Sequence, residues 1–409
     1  MKVYGVLIAA LIAGGAVTVL ASSFYYPFQP NPLQYSIVSE SRDNNSVPVV
    51  FENATNLTNN PMDSVYGQVA AWNNNVYMLW QDSMPPGYTN YDIFIKNSND
   101  NGTTFGSSVN LSNNSGFSEH PQIAAVENNV YVVWTDNTSG HKEVLFRMST
   151  NQGKAFGKVL TISDENTNAY HPEITASGTN VFVIWNNLDA DKGNHILLRH
   201  SIDGGSIFDS KMEIGVGVKD SFPKVAADDS NFFVVWDVNG HDNNTKVMYK
   251  NGQDNNASLD DKTVDLNQGK NGGESQILSK GNHILVSWTS NSGMEGNELS
   301  LVKSDDFGLS FGNITKVSNG SKSSNVETVM VDNNLFVVWQ ESVHDAEEIL
   351  LKKSTDRGIT FSQTIDLSNN DGISECPSIA ATEGKLHIVW QDNTAGNNEV
   401  FYKQIPAES

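Results

Sequence analysis

VYVVWTD, at residues 130–136, is an apolar run closed by a tryptophan and an aspartate. Its apolar residues do not alternate with polar ones, so the run reads as a strand covered on both faces. The same run recurs along the chain as VYMLW ending at Trp80, VFVIW at Trp185, FFVVW at Trp236, HILVSW at Trp288, LFVVW at Trp339 and LHIVW at Trp390. Successive tryptophans are 54, 51, 51, 52, 51 and 51 residues apart. A period held this closely is the mark of a repeat architecture, and it overrides the prior of two or three domains that 409 residues would suggest.

Each repeat holds four short strand-like runs. In the second they are HPQIAAV, VYVVWTD, EVLFRMS and KVLTIS, here called a, b, c and d, with Asn, Gly, Ser and Asp in the gaps as turns require. A four-stranded unit whose second strand is buried on both faces fits a propeller blade held between two neighbours, with the tryptophan filling the space between blades. The seventh repeat supplies PSIAAT, KLHIVWQD and EVFYKQ but no fourth run. The missing strand is read at the other end, in VPVVFENATNL (47–57), so the N-terminal strand is expected to complete the last blade and remove the open edges. The predicted fold is therefore all-β, a seven-bladed β-propeller of four antiparallel strands per blade, spanning residues 48–409.

A second motif recurs between strands c and d: SNDNGTTF (98–105), STNQGKAF (149–156), SIDGGSIF (201–208), SDDFGLSF (304–311) and STDRGITF (354–361), with a decayed copy, NGQDNNAS, at 251–258. Asp100, Asp203, Asp306 and Asp356 are expected to accept backbone N–H bonds within their own turns. Gly102, Gly153, Gly205, Gly308 and Gly358 are expected at positive φ. The pattern Ser-x-Asp-x-Gly-x-x-Phe closely resembles the Asp-box, or BNR repeat, of sialidase-like β-propellers, and the resemblance covers about nine-tenths of the chain. It implies that these boxes are structural and lie on the face opposite the binding site.

The resemblance also implies a test for sialidase chemistry. In that family three arginines clamp the substrate carboxylate, a Tyr–Glu pair supplies the nucleophile and an Asp acts as acid/base. A guanidinium fork suits that clamp and lysine replaces it poorly. This chain has only Arg42, Arg147, Arg199 and Arg357. Arg42 falls in a linker. Arg147 and Arg199 share a strand-c position where other repeats carry Lys96, Lys250, Lys303, Lys352 and Lys403, and Arg357 sits in a box turn. No triad can be assembled, and none of the family's catalytic residues carries over.

The charge is −22, which repels nucleic acid and anionic lipid heads, so nucleic acid is not an expected partner. The one cysteine, Cys376, excludes an intramolecular disulfide. Lys2 followed by VYGVLIAALIAGGAVTVLA reads residues 1–21 as a signal peptide or an N-terminal membrane anchor, with export in either case. Residues 22–47 read as a linker. Asn-X-Ser/Thr sequons, from Asn44 to Asn319, suit a glycoprotein.

The b–c and d–a loops are expected to share the functional face. Two residues after the tryptophan stand Asp82, Asp136, Glu341 and Asp392, against Asn187, Val238 and Ser290 in repeats 3 to 5. Near the start of strand a stand Glu119, His120, Tyr170, His171, Phe222, Glu375 and Cys376. The candidate ligand-binding set is Asp82, Asp136, Asp392, Glu119, His120, His171 and Glu375, placing a pocket over blades 7, 1, 2 and 3, though the same aspartates also read as loop caps. No catalytic residue, metal site or cofactor motif is assigned. The expected function is that of an exported cell-surface module binding a glycan, envelope component or surface protein without catalysis. The alternative is a glycoside hydrolase or lyase.

Overall fold

The computed structural model describes residues 53–407 apart from 85–89, 166–167, 190–192, 218–220, 240–243, 254–257, 260–261, 292–295, 319–321 and 344–345. Seven antiparallel sheets follow one another around a ring, and the described residues contain no helix. In each, strand a is innermost and d outermost. Blade 2 runs Ser118–Val126, Asn129–Asp136, Glu143–Ser149 and Leu160–Thr161.

Seven apolar clusters hold the ring together, and each joins two adjacent blades. Trp134 of blade 2 packs among Tyr77, Leu79, Ile93 and Leu111 of blade 1. Trp185 packs on blade 2, Trp236 on blade 3, Trp288 on blade 4, Trp339 on blade 5 and Trp390 on blade 6. None of the seven is more than 3 % exposed. At ~25 cal/mol per Å² and roughly 200 Å² per ring, each contributes about 5 kcal/mol of transfer free energy as an upper bound.

The ring closes as the sequence predicts. Thr55–Asn56 pairs with Tyr402 and Phe401, completing the seventh blade outside its own strands Ser374–Thr382, Lys385–Asp392 and Glu399–Pro406. Leu57 N–H donates to Val400 O (2.9 Å), and Lys96 Nζ of blade 1 donates to Leu57 O. Thr58 Oγ1 and the Asn60 N–H donate to buried Glu399. Packing closes the seam too, since Trp80 shares a cluster with Val389, Val400 and Tyr402. Residues 48–52 of the expected strand lie outside the described residues.

Lys96 shows why strand c carries a basic residue. Arg147, Lys352 and Lys403 likewise donate to the carbonyls of Leu111, Val317 and Leu367, at the outer edge of the preceding blade. These cations are ties between blades.

The Ser-x-Asp turns are built from their own side chains. Ser98 Oγ donates to Asp100 Oδ1 (2.7 Å) and accepts from Gly102 N–H (3.0 Å), while Thr104 N–H donates to Asp100 Oδ1 (2.9 Å). Hydrogen bonds from Thr104 and Ser98 hold the Asp100 carboxyl at about 2. Asp203, Asp306 and Asp356 are lowered by the same kind of bonds. Gly308 takes φ +78°, and a Cβ there would collide with the Tyr249 hydroxyl. The first turn is tied to the a–b turn of its blade by Asn101 N–H to Asn74 O (2.8 Å), so both lie on one face of the ring and the b–c and d–a loops on the other.

The fourth copy is shifted by one residue from its expected place. Gly252 pairs with Phe232 as Ser149 pairs with Val130, so the motif occupies 252–259 and Leu259 stands where the other copies have phenylalanine. Leu259 packs on the cluster between blades 3 and 4, as Phe208 packs on Phe146 between blades 2 and 3.

Candidate functional site

Strand a enters the ring through a β-bulge in six of the seven blades, between Val65 and Gln68, Glu119 and Gln122, Tyr170 and Glu173, Gly273 and Gln276, Ser324 and Glu327, and Glu375 and Ser378. One residue of each bulge is left-handed without being glycine: Tyr66, His120, His171, Glu274, Asn325 and Cys376, all with φ between 49° and 54°. Such a conformation costs about 1–2 kcal/mol apiece and re-aims the side chain, here toward the ring axis.

The residue immediately after the tryptophan holds most of these bulges from the preceding blade. The N–H of His120 donates to Gln81 Oε1 (2.9 Å), that of Tyr66 to Gln391 Oε1 (3.4 Å), that of Cys376 to Gln340 Oε1 (3.3 Å) and that of Glu274 to Asp237 Oδ2 (2.9 Å). In blade 3 Asn186 Nδ2 donates instead to Ser221 O, beside Phe222.

These residues form the mouth of a cavity of about 300 Å³ at the axis. Tyr66, His120, His171 and Phe222 make one side of the mouth, and Glu274, Asn325 and Cys376 the other. Two residues further along each strand a second tier follows, with Gln68, Gln122 and Gln276 beside Glu173, Lys224 and Glu327. The aromatic side is continuous. Tyr66 and His120 have centroids 5.1 Å apart, His120 and His171 meet edge to face at 4.6 Å, and His171 stacks on Phe222 at 4.0 Å.

The opposite side and the floor are acidic. Glu274 Oε2 accepts the Asn325 N–H (3.1 Å), and Asn325 Nδ2 donates to Gln340 Oε1 (2.8 Å). Lys224 Nζ lies 2.6 Å from Glu173 Oε2. Burial alone would lower the Lys224 ammonium, but Glu173 and Glu327 outweigh it and hold it above the ordinary lysine value. Glu327 keeps a thin exposure to the channel while protein encloses it. That burial, opposed by Lys224 and reinforced by Glu173, raises its carboxyl to about 7. Burial also raises Glu274, lowers His120 to about 4 with help from Lys142, and pushes the Cys376 thiol to about 12. The imidazole of His120 is therefore neutral at physiological pH, and Cys376 is not a thiolate nucleophile.

The structure separates the residues that the sequence placed together. His120 and His171 line the cavity. Asp82, Asp136 and Asp392 do not. They are buried within their own blades, at most 3 % exposed, as caps of the d–a loops. Asp136 Oδ2 accepts from Asn114 Nδ2 (2.7 Å), Ser118 Oγ (2.8 Å) and Trp134 Nε1 (3.1 Å), and Oδ1 from Thr138 N–H (2.9 Å). Asp392 repeats this set with Asn370, Ser374, Trp390 and Thr394, and Asp82 accepts from Asn60 and Ser64. Glu119 pairs with Lys142 (3.0 Å) and Glu375 accepts from Gln391 Nε2 (2.9 Å), both outside the cavity lining. This cavity is not confined to blades 7, 1, 2 and 3, the expected position of a pocket. The cavity lies on the axis and draws on all seven blades, with Phe222, Lys224, Glu274 and Glu327 coming from blades 4 to 6.

Lys224, Glu274 and Glu327, with Tyr66, Glu173, Asn325 and the glutamines, are lining residues that the sequence reading does not name, while Phe222 and Cys376 are named there near the start of strand a but stand outside the candidate set. A signal for them exists. Every mouth residue stands fourteen positions before its repeat's tryptophan, and every second-tier residue twelve. Among the described residues no arginine lines the cavity and no group of three His, Cys, Asp or Glu is placed to hold a metal ion.

The sequence matches no protein-family model and no curated protein. Solved structures do match it. An ulvan lyase from a new family of polysaccharide lyases superposes with a TM-score of 0.58 at 10 % identity, over 84 % of this chain and 94 % of that one. A protein of unknown function from Dyadobacter fermentans gives 0.55 at 12 % identity, over 87 % and 98 %. A Hadza microbial sialidase gives 0.54 at 11 % identity, over 90 % and 71 %. The chain thus has the sialidase-like seven-bladed propeller fold, shared with proteins named for acting on glycans.

Proposed function

We propose that this protein is an exported, cell-surface glycan-binding module whose site is the axial mouth, and that it binds without catalysis. One observation carries the reading: an arc of four rings, Tyr66, His120, His171 and Phe222, faces carboxylate and amide groups across a cavity sized for a sugar unit or two. Rings take the apolar faces of a sugar, while Gln68, Gln122, Gln276 and Asn325 offer both donors and acceptors to its hydroxyls. Against sialidase chemistry, no arginine lines the cavity among the described residues, and Glu173 is paired with Lys224. Export rests on the apolar segment within residues 1–21, and the Asn-X-Ser/Thr sequons fit it.

The hydrolase or lyase reading keeps one specific support. A carboxyl raised to about 7 in the same cavity as a neutral imidazole is a combination that acid–base catalysis can use near neutral pH. Purified protein screened on a glycan array and against chromogenic glycosides and uronate polymers separates the two. Binding that Phe222→Ala and His171→Ala abolish, with folding intact and no turnover, supports the module. Sustained turnover that Glu327→Gln abolishes overturns it in favour of the enzyme.

A further inference from the structure

We infer that the sugar held at the axial mouth carries a free ammonium group, so that the ligand class is an unacetylated amino-sugar glycan. This rests on the glycan-binding reading and names the part of the ligand that enters the channel.

The charges at the site set the argument. Three carboxylates, Glu173, Glu274 and Glu327, line the cavity against one cation, Lys224, which lies 2.6 Å from Glu173. Lys142, which acts on His120, is outside the lining and bonded to Glu119. Two carboxylates are left without a cation in contact. Glu274 accepts a backbone N–H. Glu327 accepts no hydrogen bond among the described residues, although protein surrounds it and it faces the cavity. Lys224 offsets the burial of this carboxyl only in part, and an arriving ammonium donor would offset the remainder.

The aromatic side points the same way. A cation within about 6 Å of a ring centroid is drawn to the negative face of the ring. Four rings form a wall opposite the acids, and His120, held neutral by burial, attracts a cation where a charged imidazolium would repel it. Its Nδ1 is buried with no hydrogen-bond partner among the described residues. A ligand carboxylate or sulfate would instead meet three carboxylates and a lysine already engaged. The site is complementary to the opposite sign of charge from the one that a sialidase clamp takes.

The test is calorimetric titration of the purified protein, near neutral pH, with tetramers of glucosamine, of N-acetylglucosamine and of galacturonate, and with spermidine as an amine that is not a sugar. The glucosamine tetramer should bind at least about tenfold more tightly than its acetylated counterpart, with galacturonate weakest. Glu327→Gln and Phe222→Ala should each remove that preference while the protein melts cooperatively. If the acetylated tetramer binds equally well, the ammonium inference falls and the glycan reading stands. If spermidine alone binds, dependent on Phe222 and Glu327, the glycan reading falls and recognition of an ammonium stands. Preference for galacturonate, or binding of none of the four, overturns the inference.

Discussion

At the residue scale, the three positions W-x-D divide the work. The tryptophan fills the gap between blades, the next residue reaches across to hold the following blade's bulge, and the third caps its own loop. Strand alternation already assigns the third position. Residues i and i+2 of a strand share a face, so Asp136 has to point where Trp134 points, between blades and away from the axis. That alternation is readable in the sequence and favours the loop-cap reading of these aspartates over the ligand-binding one. The bond from Trp134 Nε1 to Asp136 confirms the shared face. Asp136→Ala strips the acceptor from four donors and should cost about 2–5 kcal/mol, read as a fall in melting temperature, with ligand affinity of the folded protein retained. Gln81→Ala leaves the His120 N–H without its acceptor. It should cost about 1–2 kcal/mol and, unlike the aspartate change, weaken binding at the mouth, which titration with glycan would show.

At the element scale, nearly all of the ring was legible. Strands b were visible as unbroken apolar runs, the turns as Ser-x-Asp-x-Gly, and the closure as a missing fourth strand. The bulges in strand a were not legible as bulges. They depend on where strand b places its side chains, and nothing in a sequence such as SEHPQIAAV marks His120 as left-handed. The shifted fourth motif escaped for a related reason, because its serine has become Gly252 and only the ladder to Phe232 fixes the register. Closure gives the element-scale prediction. A chain lacking residues 1–60 loses the Thr55–Asn56 pairing and leaves buried Glu399 without Thr58 and Asn60. Its melting temperature should fall by about 5 °C or more, measured beside a chain lacking only residues 1–21. Equal melting would show that the interblade cluster around Trp80 suffices for closure.

At the scale of the whole molecule, stability and site chemistry are linked through pH. Glu327 titrates at about 7 in the folded chain against an ordinary 4.5. The folded state therefore binds the extra proton between those values, so stability falls as pH rises through that window, and the loss is complete above about pH 7. Glu327→Gln should leave the melting temperature nearly unchanged at about pH 4.5 and raise it above the parent's at about pH 8. A variant with the same pH slope as the parent would place the titration elsewhere. A group that lowers the stability of its own fold and is nevertheless kept at a cavity floor is what a functional site looks like energetically.

The bulges have one more consequence. The paired residues on either side fix each left-handed position, and in most blades a side chain of the preceding blade holds its N–H, so its own side chain is free to vary. The seven tryptophans are identical, while the seven mouth positions read Tyr, His, His, Phe, Glu, Asn and Cys. Scaffold and recognition are thus written in separate columns of the repeat. The molecule behaves as a seven-slot combinatorial display, in which specificity can be rewritten one slot at a time without renegotiating the fold.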